Sequence, residues 1–334
     1  MTAAATAETL HALGVVEDFN EQFSATFDTC YTWSYQTFKE GLRNLYEKAK
    51  ENQWNAQTAL DWTIDVDPEA ENLPDMNNPL YGTALWRKFT PAEIRKFRRE
   101  QLSWSLSQFL HGEQGALLAS SQIVGAVPWI DAKYYAATQT MDEARHVEVY
   151  DKYLRDKIER EYPINPHLKT LLDQILTDSR WDMKYLGMQI MVEGLAMAAF
   201  GLMEKMSNEP LLKDLTAHVM RDEARHVAFG VLSLEGLYKE LNERELQERL
   251  EFTYEGCRLM RDRLYAVEVW REMGLPEQET YEIVMRSEIM REFQKMLFSK
   301  VVPNVKRLGL LTPWLREKFA ELDILKFEHL EASA

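Results

Sequence analysis

One short repeat constrains this chain more than any other feature. The hexapeptide Asp-Glu-Ala-Arg-His-Val occurs at residues 142–147 and again at residues 222–227. Each copy contains a Glu-x-x-His pair, and each pair is preceded by another glutamate 30 residues upstream. The six side chains in this pattern are Glu113, Glu143, His146, Glu193, Glu223 and His226. Four carboxylates and two imidazoles in such a duplicated arrangement are typical of a two-metal centre inside a helix bundle.

The spacing within each pair has a physical reason. Residues at positions i and i+3 of an α-helix lie on one face, about 60° apart around the axis and about 4.5 Å apart along it. The first pair can therefore reach one metal ion and the second pair another, with a further glutamate from each of two facing helices. Carboxylate and imidazole ligands favour iron or manganese. The six-residue ligand set contains no cysteine, which argues against an iron–sulfur or structural zinc site.

Charge balance supports the same interpretation. Two divalent ions neutralise four glutamates, and a neutral cluster can lie in a low-dielectric core where four bare carboxylates would repel one another. The ligands alone thus predict two divalent ions, iron or manganese, and they suit an iron pair, a manganese pair and a mixed manganese–iron pair alike.

The residues that flank the ligands in each repeat fit supporting roles. A ligating histidine usually donates its second ring N–H to a carboxylate or carbonyl, which fixes the tautomer. Asp142 and Asp222 are candidates for this role, and we expect each to act on the histidine of the other copy. Arg145 and Arg225 would then pair with these aspartates.

A repeated helical sequence also has a simpler interpretation. Asp-Glu-Ala-Arg-His is a good helical sequence with i,i+3 and i,i+4 charge pairs, and one copy would need no further explanation. Two identical copies, each with a glutamate at the same upstream distance, favour the metal centre.

Composition argues against several other classes of function. The chain of 334 residues has a net charge of −15, which is unfavourable for binding nucleic acid or an anionic membrane surface. No run approaches about 18 apolar residues, so no membrane span is predicted. Two cysteines, Cys30 and Cys257, do not make a disulfide framework. Residues 1–9 predict a loose terminus without the pattern of a signal peptide, and we expect a cytoplasmic protein.

Apolar periodicity predicts helices almost throughout the chain. Thr90-Pro91-Ala92-Glu93 is a capping box that begins a long helix. Residues 65–81 predict a loop, and Pro163 and Pro166 predict a turn. The predicted helices cover about 24–50, 90–125, 129–161, 180–206, 210–241, 243–273 and 276–298, with a last one starting at Thr312-Pro313.

We therefore predict one domain over residues 1–334. Its four-helix core covers about 90–241, with N-terminal helices and a loop at 1–89 and C-terminal helices at 242–334. The ligand-bearing halves of the core are related by an offset of 80 residues, from Glu143 to Glu223, which predicts a pseudo-twofold bundle.

On these residues, the region at about 90–238 resembles the ferritin-like di-iron carboxylate superfamily. The stretch Gly112-Glu113-Gln114-Gly115-Ala116, followed by Asp-Glu-Ala-Arg-His, is most similar locally to the hydroxylase subunits of bacterial multicomponent monooxygenases. The resemblance implies an all-α fold: a ferritin-like four-helix bundle with additional peripheral helices. It also implies dioxygen activation at a di-iron centre and oxidation of a small, largely apolar organic substrate by hydroxylation, N-oxygenation or desaturation. Electrons would come from a donor protein or another reductant, and we expect a homodimer.

The chain departs from these relatives near the ligands. The hydroxylases carry a threonine one turn after the third glutamate, where this chain has Met197. Amine N-oxygenases, which the chain also resembles, carry an additional histidine ligand one turn before the fourth glutamate, where this chain has Val219. His218 lies about 100° away around the helix, so we expect it to pair with Asp222 or to face solvent.

One tyrosine has two possible roles. Ribonucleotide reductase small subunits place a radical tyrosine four residues after the first histidine ligand, which is the offset of Tyr150. The alternative is a core aromatic residue hydrogen-bonded beside the metals, and it is favoured because the other spacings fit the reductase poorly.

Residues one turn from the ligands are candidates for the substrate cavity. They are Phe109, Ala116, Leu117, Ile190, Met197 and Phe200. Such positions also serve as ordinary core in helix bundles, and both interpretations stay open. The main alternative function is that of a ferritin-like ferroxidase, which handles iron without an organic substrate. The length of the chain and its extra helices argue against a cage subunit.

Overall fold

The structure is a computed structural model that describes residue 21 and residues 23–332. Within these residues the regular structure is helical, and no β-strand is present. The helices are α1 (Glu40–Glu51), α2 (Ala56–Ala59), α3 (Pro91–Ala126), α4 (Ile130–Tyr153), α5 (Pro166–Thr177), α6 (Trp181–Met206), α7 (Pro210–Leu234), α8 (Glu243–Asp262), α9 (Val267–Glu272), α10 (Glu277–Arg286), α11 (Glu288–Arg307) and α12 (Pro313–Glu321). The start predicted to be loose, residues 1–9, lies outside the described residues.

Four long helices form the core of the bundle. Helix α3 packs along α4, α6 packs along α7, and α4 also contacts α7. The predicted capping box begins α3: Thr90 Oγ1 accepts a hydrogen bond from the N–H of Glu93, whose carboxylate accepts one from the N–H of Thr90. The prediction of an all-α ferritin-like bundle with peripheral helices is confirmed.

The peripheral helices cover the sides of this core. Helix α1 contacts α4 and α7, α5 contacts α3 and α8, and α11 packs on α6. By length and composition α6 is the one helix in the described part of the chain that could cross a membrane. However, 72% of its most apolar window is buried inside the protein, as is also typical of the core helix of a bundle.

The helix predicted at about 24–50 is wrong over its first half, because α1 begins only at Glu40. The segment before it is rich in aromatic residues, Ser and Thr, which have modest helix propensity. Its backbone hydrogen-bonds to α4 instead, with the N–H of Phe38 donating to Asp131 Oδ2 at 2.9 Å. The aromatic side chains of Tyr31, Trp33, Tyr35 and Phe38 in this segment are exposed.

Other differences lie outside the core. Helix α5 follows the turn at Pro163 and was not predicted, although Asn165 caps it by accepting from the N–H of His167. The helix predicted at 276–298 is two helices, because Ser287 leaves the helical conformation and caps α11. The polar residues that cap these two helices mark where each helix begins. Apolar periodicity alone did not predict these boundaries.

A π-helical segment, Leu186–Val192, lies within α6 immediately before Glu193. Such segments insert an extra residue into a helix and are frequent at functional sites. Here it packs against Gly230 of α7: a Cβ added at Gly230 would lie 2.5 Å from Gln189 Cβ. Glycine at this position therefore lets α7 approach the π-helical segment that precedes Glu193.

We expect Gly230→Ala to lower the free energy of unfolding by about 1–3 kcal/mol, because the added methyl group overpacks this contact. Chemical denaturation of the metal-free protein measures the change. Gly112→Ala is the matched control, since a Cβ at Gly112 meets nothing within 4 Å. An unfolding free energy in Gly230→Ala equal to that of the control would contradict the prediction.

Candidate metal centre

The six predicted ligands come together in the core, and each is at most 6% exposed. They come from the four core helices: Glu113 from α3, Glu143 and His146 from α4, Glu193 from α6, and Glu223 and His226 from α7. Their ligand atoms form two overlapping groups in which all atoms lie within 4.8 Å of one another. The first group is Glu113, Glu143, His146 and Glu223, and the second is Glu143, Glu193 and His226. The arrangement supplies two adjacent cation sites with shared carboxylates.

Glu143 and Glu223 lie between the two histidines. The Glu143 carboxylate is 3.3 Å from His146 Nδ1 and 3.1 Å from His226 Nδ1. The Glu223 carboxylate is 3.2 Å and 3.4 Å from the same two atoms. The sequence assigned one Glu/His pair to each ion, whereas in the structure both glutamates face both sites. They are placed to bridge two ions.

The chemistry of the donor atoms tests whether metal ions fit here. Among the described residues, Glu143 Oε2, Glu193 Oε2, both carboxylate oxygens of Glu223 and His226 Nδ1 are buried without a hydrogen-bond partner. Buried acceptors without partners are costly, and their convergence on one point makes a cation the matching group. The four carboxylates balance the charge of two divalent ions. This donor set fits a pair of metal ions.

The electrostatics of the metal-free site agree with this fit. Burial, followed by repulsion from Glu223, raises the pKa of Glu113 and Glu193 well above the usual range. Without cations the site therefore retains protons on carboxylates that would be ionised in water.

Each histidine is held by the aspartate of the other repeat. His226 Nε2 is 3.3 Å from Asp142 Oδ2, and His146 Nε2 is 3.2 Å from Asp222 Oδ2. The crosswise contacts expected from the sequence are thus present. A hydrogen atom on Nε2 that donates to the aspartate leaves the Nδ1 lone pair facing the glutamates.

The two aspartates and two arginines form a closed network. Arg145 pairs with Asp142 and lies 3.0 Å from Asp222 Oδ2. Arg225 pairs with Asp222 and lies 3.5 Å from Asp142 Oδ2. Two positive and two negative charges compensate each other, so the network adds no net charge next to the ligands.

The segment after α1 contributes to this network two side chains that no pattern in the sequence predicts. Trp54 Nε1 donates to Asp222 Oδ2 at 2.7 Å, and Gln53 Nε2 donates to Asp142 Oδ1 at 2.9 Å. Their partners lie 168 and 89 residues away along the chain, and no local pattern connects them.

Gln139 is a third missed residue, and it touches the ligands directly. Its Nε2 donates to Glu143 Oε1 at 3.0 Å and to Glu193 Oε1 at 2.8 Å, while its Oε1 accepts from Gln189 Nε2 at 3.3 Å. Its position, one turn before Glu143 on the ligand face, was a usable signal. The corresponding position in the second repeat is Val219, so only the first repeat supplies an amide that donates to the ligands.

We expect Gln139→Leu to weaken metal binding about 10–100-fold, the usual cost of losing a group that orients a ligand. The substitution removes the donor shared by two ligating carboxylates at similar side-chain volume. Competition with a chromophoric chelator measures the affinity. Gln278→Leu, on the exposed face of α10, is the control. Equal affinities in the two variants would contradict the assigned role of Gln139.

His218 does not lie with the ligands. Its Nδ1 is 3.2 Å from Asp214 Oδ1, and its ring centroid is 4.9 Å from that of Trp54. The expected pair with Asp222 is absent because Trp54 and the arginines occupy that carboxylate. Val219 is fully buried among apolar side chains, so no seventh ligand projects from this turn.

Tyr150 lies in an apolar cluster on the Glu113 side of the centre. Its ring centroid is 5.8 Å from that of Phe109 and 6.1 Å from that of Phe200. Its hydroxyl is buried without a hydrogen-bond partner. Burial, followed by the charges of Glu113 and Glu223, raises its pKa well above the usual range. The phenol therefore stays protonated, and the ring packs in the hydrophobic core as the favoured interpretation expects, although the expected hydrogen bond is absent.

A cavity of about 700 Å³ is lined in part by α3 and α6, the helices that carry Glu113 and Glu193. Phe109 lines it one helical turn before Glu113, and Leu195 and Ala199 of α6 line it near Glu193. From there it extends between the loop at residues 68–80 and the segment at residues 263–297, reaching the exposed residues Glu288 and Ile289. Its walls are mostly apolar and include several aromatic side chains.

Of the six side chains predicted to line a substrate cavity, Phe109 lies in this wall. The other five, Ala116, Leu117, Ile190, Met197 and Phe200, do not line it. Ala116, Ile190 and Phe200 are buried in the hydrophobic core between helices. Proximity to a ligand was not sufficient to predict which side chains line the cavity. The position of the cavity depends on where the bundle meets the peripheral helices.

The fold and the site together define a ferritin-like di-iron carboxylate oxygenase. The chain matches, over residues 36–309, the family model described as p-aminobenzoate N-oxygenase AurF. The protein belongs to this family. A comparison with curated proteins finds no match.

Two solved structures illustrate the fold. A variant of an R2-like ligand-binding oxidase with an anaerobically reconstituted Mn/Fe cofactor has 16% sequence identity and a TM-score of 0.55, covering 84% of this chain and 96% of its own. Another variant of that oxidase, also anaerobically reconstituted, has 17% identity and a TM-score of 0.54, covering 84% and 99%. At these identities the likeness concerns the fold. With the family match, the protein is a di-iron oxygenase that acts on an organic substrate.

Proposed function

We propose that this protein is an N-oxygenase that transfers one oxygen atom from dioxygen to the nitrogen of an aromatic amine. The observation that carries the proposal is the largely apolar cavity whose wall includes Phe109, one turn from Glu113. The family model, named for an oxygenase of p-aminobenzoate, supports an arylamine as the substrate class. The balanced step is R–NH₂ + O₂ + 2 e⁻ + 2 H⁺ → R–NHOH + H₂O.

The protein's part in this reaction is to fix geometry. A pair of iron or manganese ions held by these residues would activate dioxygen, and the two electrons of the balanced step would come from the external reductant. Glu143 and Glu223 would hold both ions at a fixed separation, and Glu113 and Glu193 would each complete one site. The Asp–His contacts keep Nδ1 available as a ligand atom. The two aspartates, which are not ligands themselves, thus determine the orientation of the histidine ligands.

The cavity orients the substrate and excludes water. Phe109 lines the cavity and packs edge-on against Phe200 at a centroid distance of 4.8 Å, and both rings also pack against Tyr150. An aromatic amine can stack on such walls with its nitrogen directed towards the metal centre.

Oxygen consumption tests the proposal. The iron-loaded protein, supplied with a reductant, is expected to take up dioxygen faster when 4-aminobenzoate or a longer 4-aminophenyl acid is present. Isotopically labelled dioxygen should place one labelled atom in an N-hydroxylated product, detected by mass spectrometry. Iron-dependent uptake that is unchanged by any amine, with no labelled product, would contradict the proposal and favour the ferroxidase alternative.

Further features of the proposal concern assembly and environment. We propose a cytoplasmic homodimer supplied with electrons by a separate donor protein, and no role for nucleic acid or membranes. The exposed aromatic side chains of Tyr31, Trp33 and Tyr35 offer an apolar surface for a second copy. Analytical ultracentrifugation should give a dimer, whereas a cage-sized particle would favour iron storage.

A further inference from the structure

Arg263 is a buried cation without a counter-ion. It lies immediately after α8, is 7% exposed and forms part of the cavity wall. Its Nε is buried without a hydrogen-bond partner, and no ion pair joins its guanidinium to any residue in the described part of the chain. A buried charge that lacks a partner is costly and calls for an explanation.

Other buried or cavity-lining arginines of this protein are paired. Arg249 lies 2.9 Å from Asp182, and Arg145 is shared between two aspartates. Arg98 lines the same cavity as Arg263 and pairs with Asp75 at 2.6 Å. The lack of a partner at Arg263 is therefore not a general property of arginines in this fold.

The acids nearest to Arg263 in sequence are engaged elsewhere. Asp262 pairs with Arg261 and Arg258. Glu268 accepts hydrogen bonds from Trp104 and Asn165. Burial, with no opposing charge, lowers the pKa of Arg263 to about 10, so it remains a cation at neutral pH. A guanidinium without a counter-ion thus lies in the wall of a largely apolar cavity.

We propose that Arg263 binds the carboxylate of an arylamine substrate whose apolar body extends along the cavity towards Phe109. This inference rests on the proposed function, because it assigns the substrate to the same cavity. One guanidinium matches one carboxylate in charge and can bind it through two parallel hydrogen bonds. The anchor lies on the peripheral side of the cavity, and the amine would lie on the side next to the metal centre.

The test compares acids with their neutral amides. The probes are 4-aminobenzoate and 4-(4-aminophenyl)butanoate, each paired with the corresponding carboxamide, which keeps the size and the amine. Dissociation constants are measured by calorimetry on the metal-loaded enzyme without oxygen. For at least one pair, wild type is expected to bind the acid about 10–100-fold more tightly than the amide, the value of a charged hydrogen-bonded contact.

Arg263→Gln should remove this preference and leave the affinity for the amide unchanged within about twofold, and Arg263→Lys should restore part of it. Arg98→Gln is the matched control, because its guanidinium lines the same cavity but is already paired with Asp75. Wild type that binds acid and amide equally for both pairs would overturn the inference. So would a preference that persists in Arg263→Gln, since the metal ions would then be its source.

Thermal unfolding provides a second test that does not depend on ligand binding by the variants. Arg263→Met removes a buried charge that has no partner, so its melting temperature should equal or exceed that of wild type. A lower melting temperature would assign Arg263 a structural role and overturn the inference. The outcomes for Arg263 and for the proposed function are distinct. Oxidation of neutral arylamines without any preference for acids would support the proposed function and contradict carboxylate binding by Arg263. Binding of acids through Arg263 without oxidation would support carboxylate binding and contradict the proposed function.

Discussion

Glu223→Gln is expected to abolish binding of the metal pair. The Glu223 carboxylate faces both histidines, at 3.2 Å and 3.4 Å. An amide keeps the volume but supplies one ligating oxygen instead of two and leaves three carboxylates to balance two divalent ions. Elemental analysis should find at most one ion per chain in place of two. Amine-dependent oxygen uptake should fall by more than about 100-fold. That is the upper end of the loss caused by removing a residue that only orients a ligand.

The matched control is Glu279→Gln, at an exposed position of α10. It changes the net charge of the protein by the same amount and should retain two ions and full oxygen uptake. Two tightly bound ions in Glu223→Gln would show that this carboxylate does not bridge the site.

Removal of the metals should destabilise the protein, and more so at pH 8 than at pH 5.5. Burial raises the pKa of Glu113 and Glu193 in the metal-free protein. Burial opposes ionisation of His146 and His226, but the surrounding carboxylates outweigh it and raise the pKa of both histidines. All four groups therefore hold protons in the folded state that the unfolded chain has released at neutral pH.

The sign of the pH dependence follows from these four shifts. A group whose pKa is raised by folding contributes stability below its unfolded pKa, about 4.3 for Glu and 6.5 for His, and that stability is lost as the pH rises. Glu143 and Asp222, whose pKa values are lowered, change their contribution only below this window. The metal-free protein should therefore lose stability between pH 5.5 and pH 8, while metal ions bind more tightly as their ligands lose protons.

Thermal unfolding with and without a chelator measures this effect at both pH values. At pH 8, free metal at about 1,000 times its dissociation constant should stabilise the fold by about 4 kcal/mol. The difference between loaded and metal-free protein should be smaller at pH 5.5. A difference that is constant, or that grows as the pH falls, would contradict the protonation pattern assigned to the site.

The metal ligands were predictable because they follow a local rule. A Glu-x-x-His pair on one helix face places both side chains towards the same point, whatever the rest of the fold does. Duplication of the motif at Glu143 and Glu223 then fixed the number of sites. The crosswise Asp–His contacts followed from the chemistry of ligating histidines together with this symmetry.

The remaining parts of the site depend on contacts between distant segments. Trp54 reaches Asp222 across 168 residues, from a segment whose preceding helix was predicted to start too early. The cavity joins α3 and α6 to a loop and to helices near the C-terminus, so no helix-face rule could place it. Arg263 has no sequence signal at all, because only the fold shows that it is buried and without an acid.

The two halves of the repeat also differ in a way that symmetry did not anticipate. Gln139 donates to two ligands in one half, and Val219 replaces it in the other with a buried apolar side chain. The two metal positions are therefore inequivalent: one is next to amide groups, and the other is next to the aromatic cluster that borders the cavity.

Anomalous diffraction from crystals of the metal-loaded enzyme, collected at the iron and manganese absorption edges, tests the central claim most directly. We predict two peaks, both lying between the carboxylates of Glu143 and Glu223. One should be in contact with Glu113 and His146 Nδ1, and the other with Glu193 and His226 Nδ1. A single peak, or peaks that lie away from these six side chains, would contradict the assignment of a two-metal oxygenase.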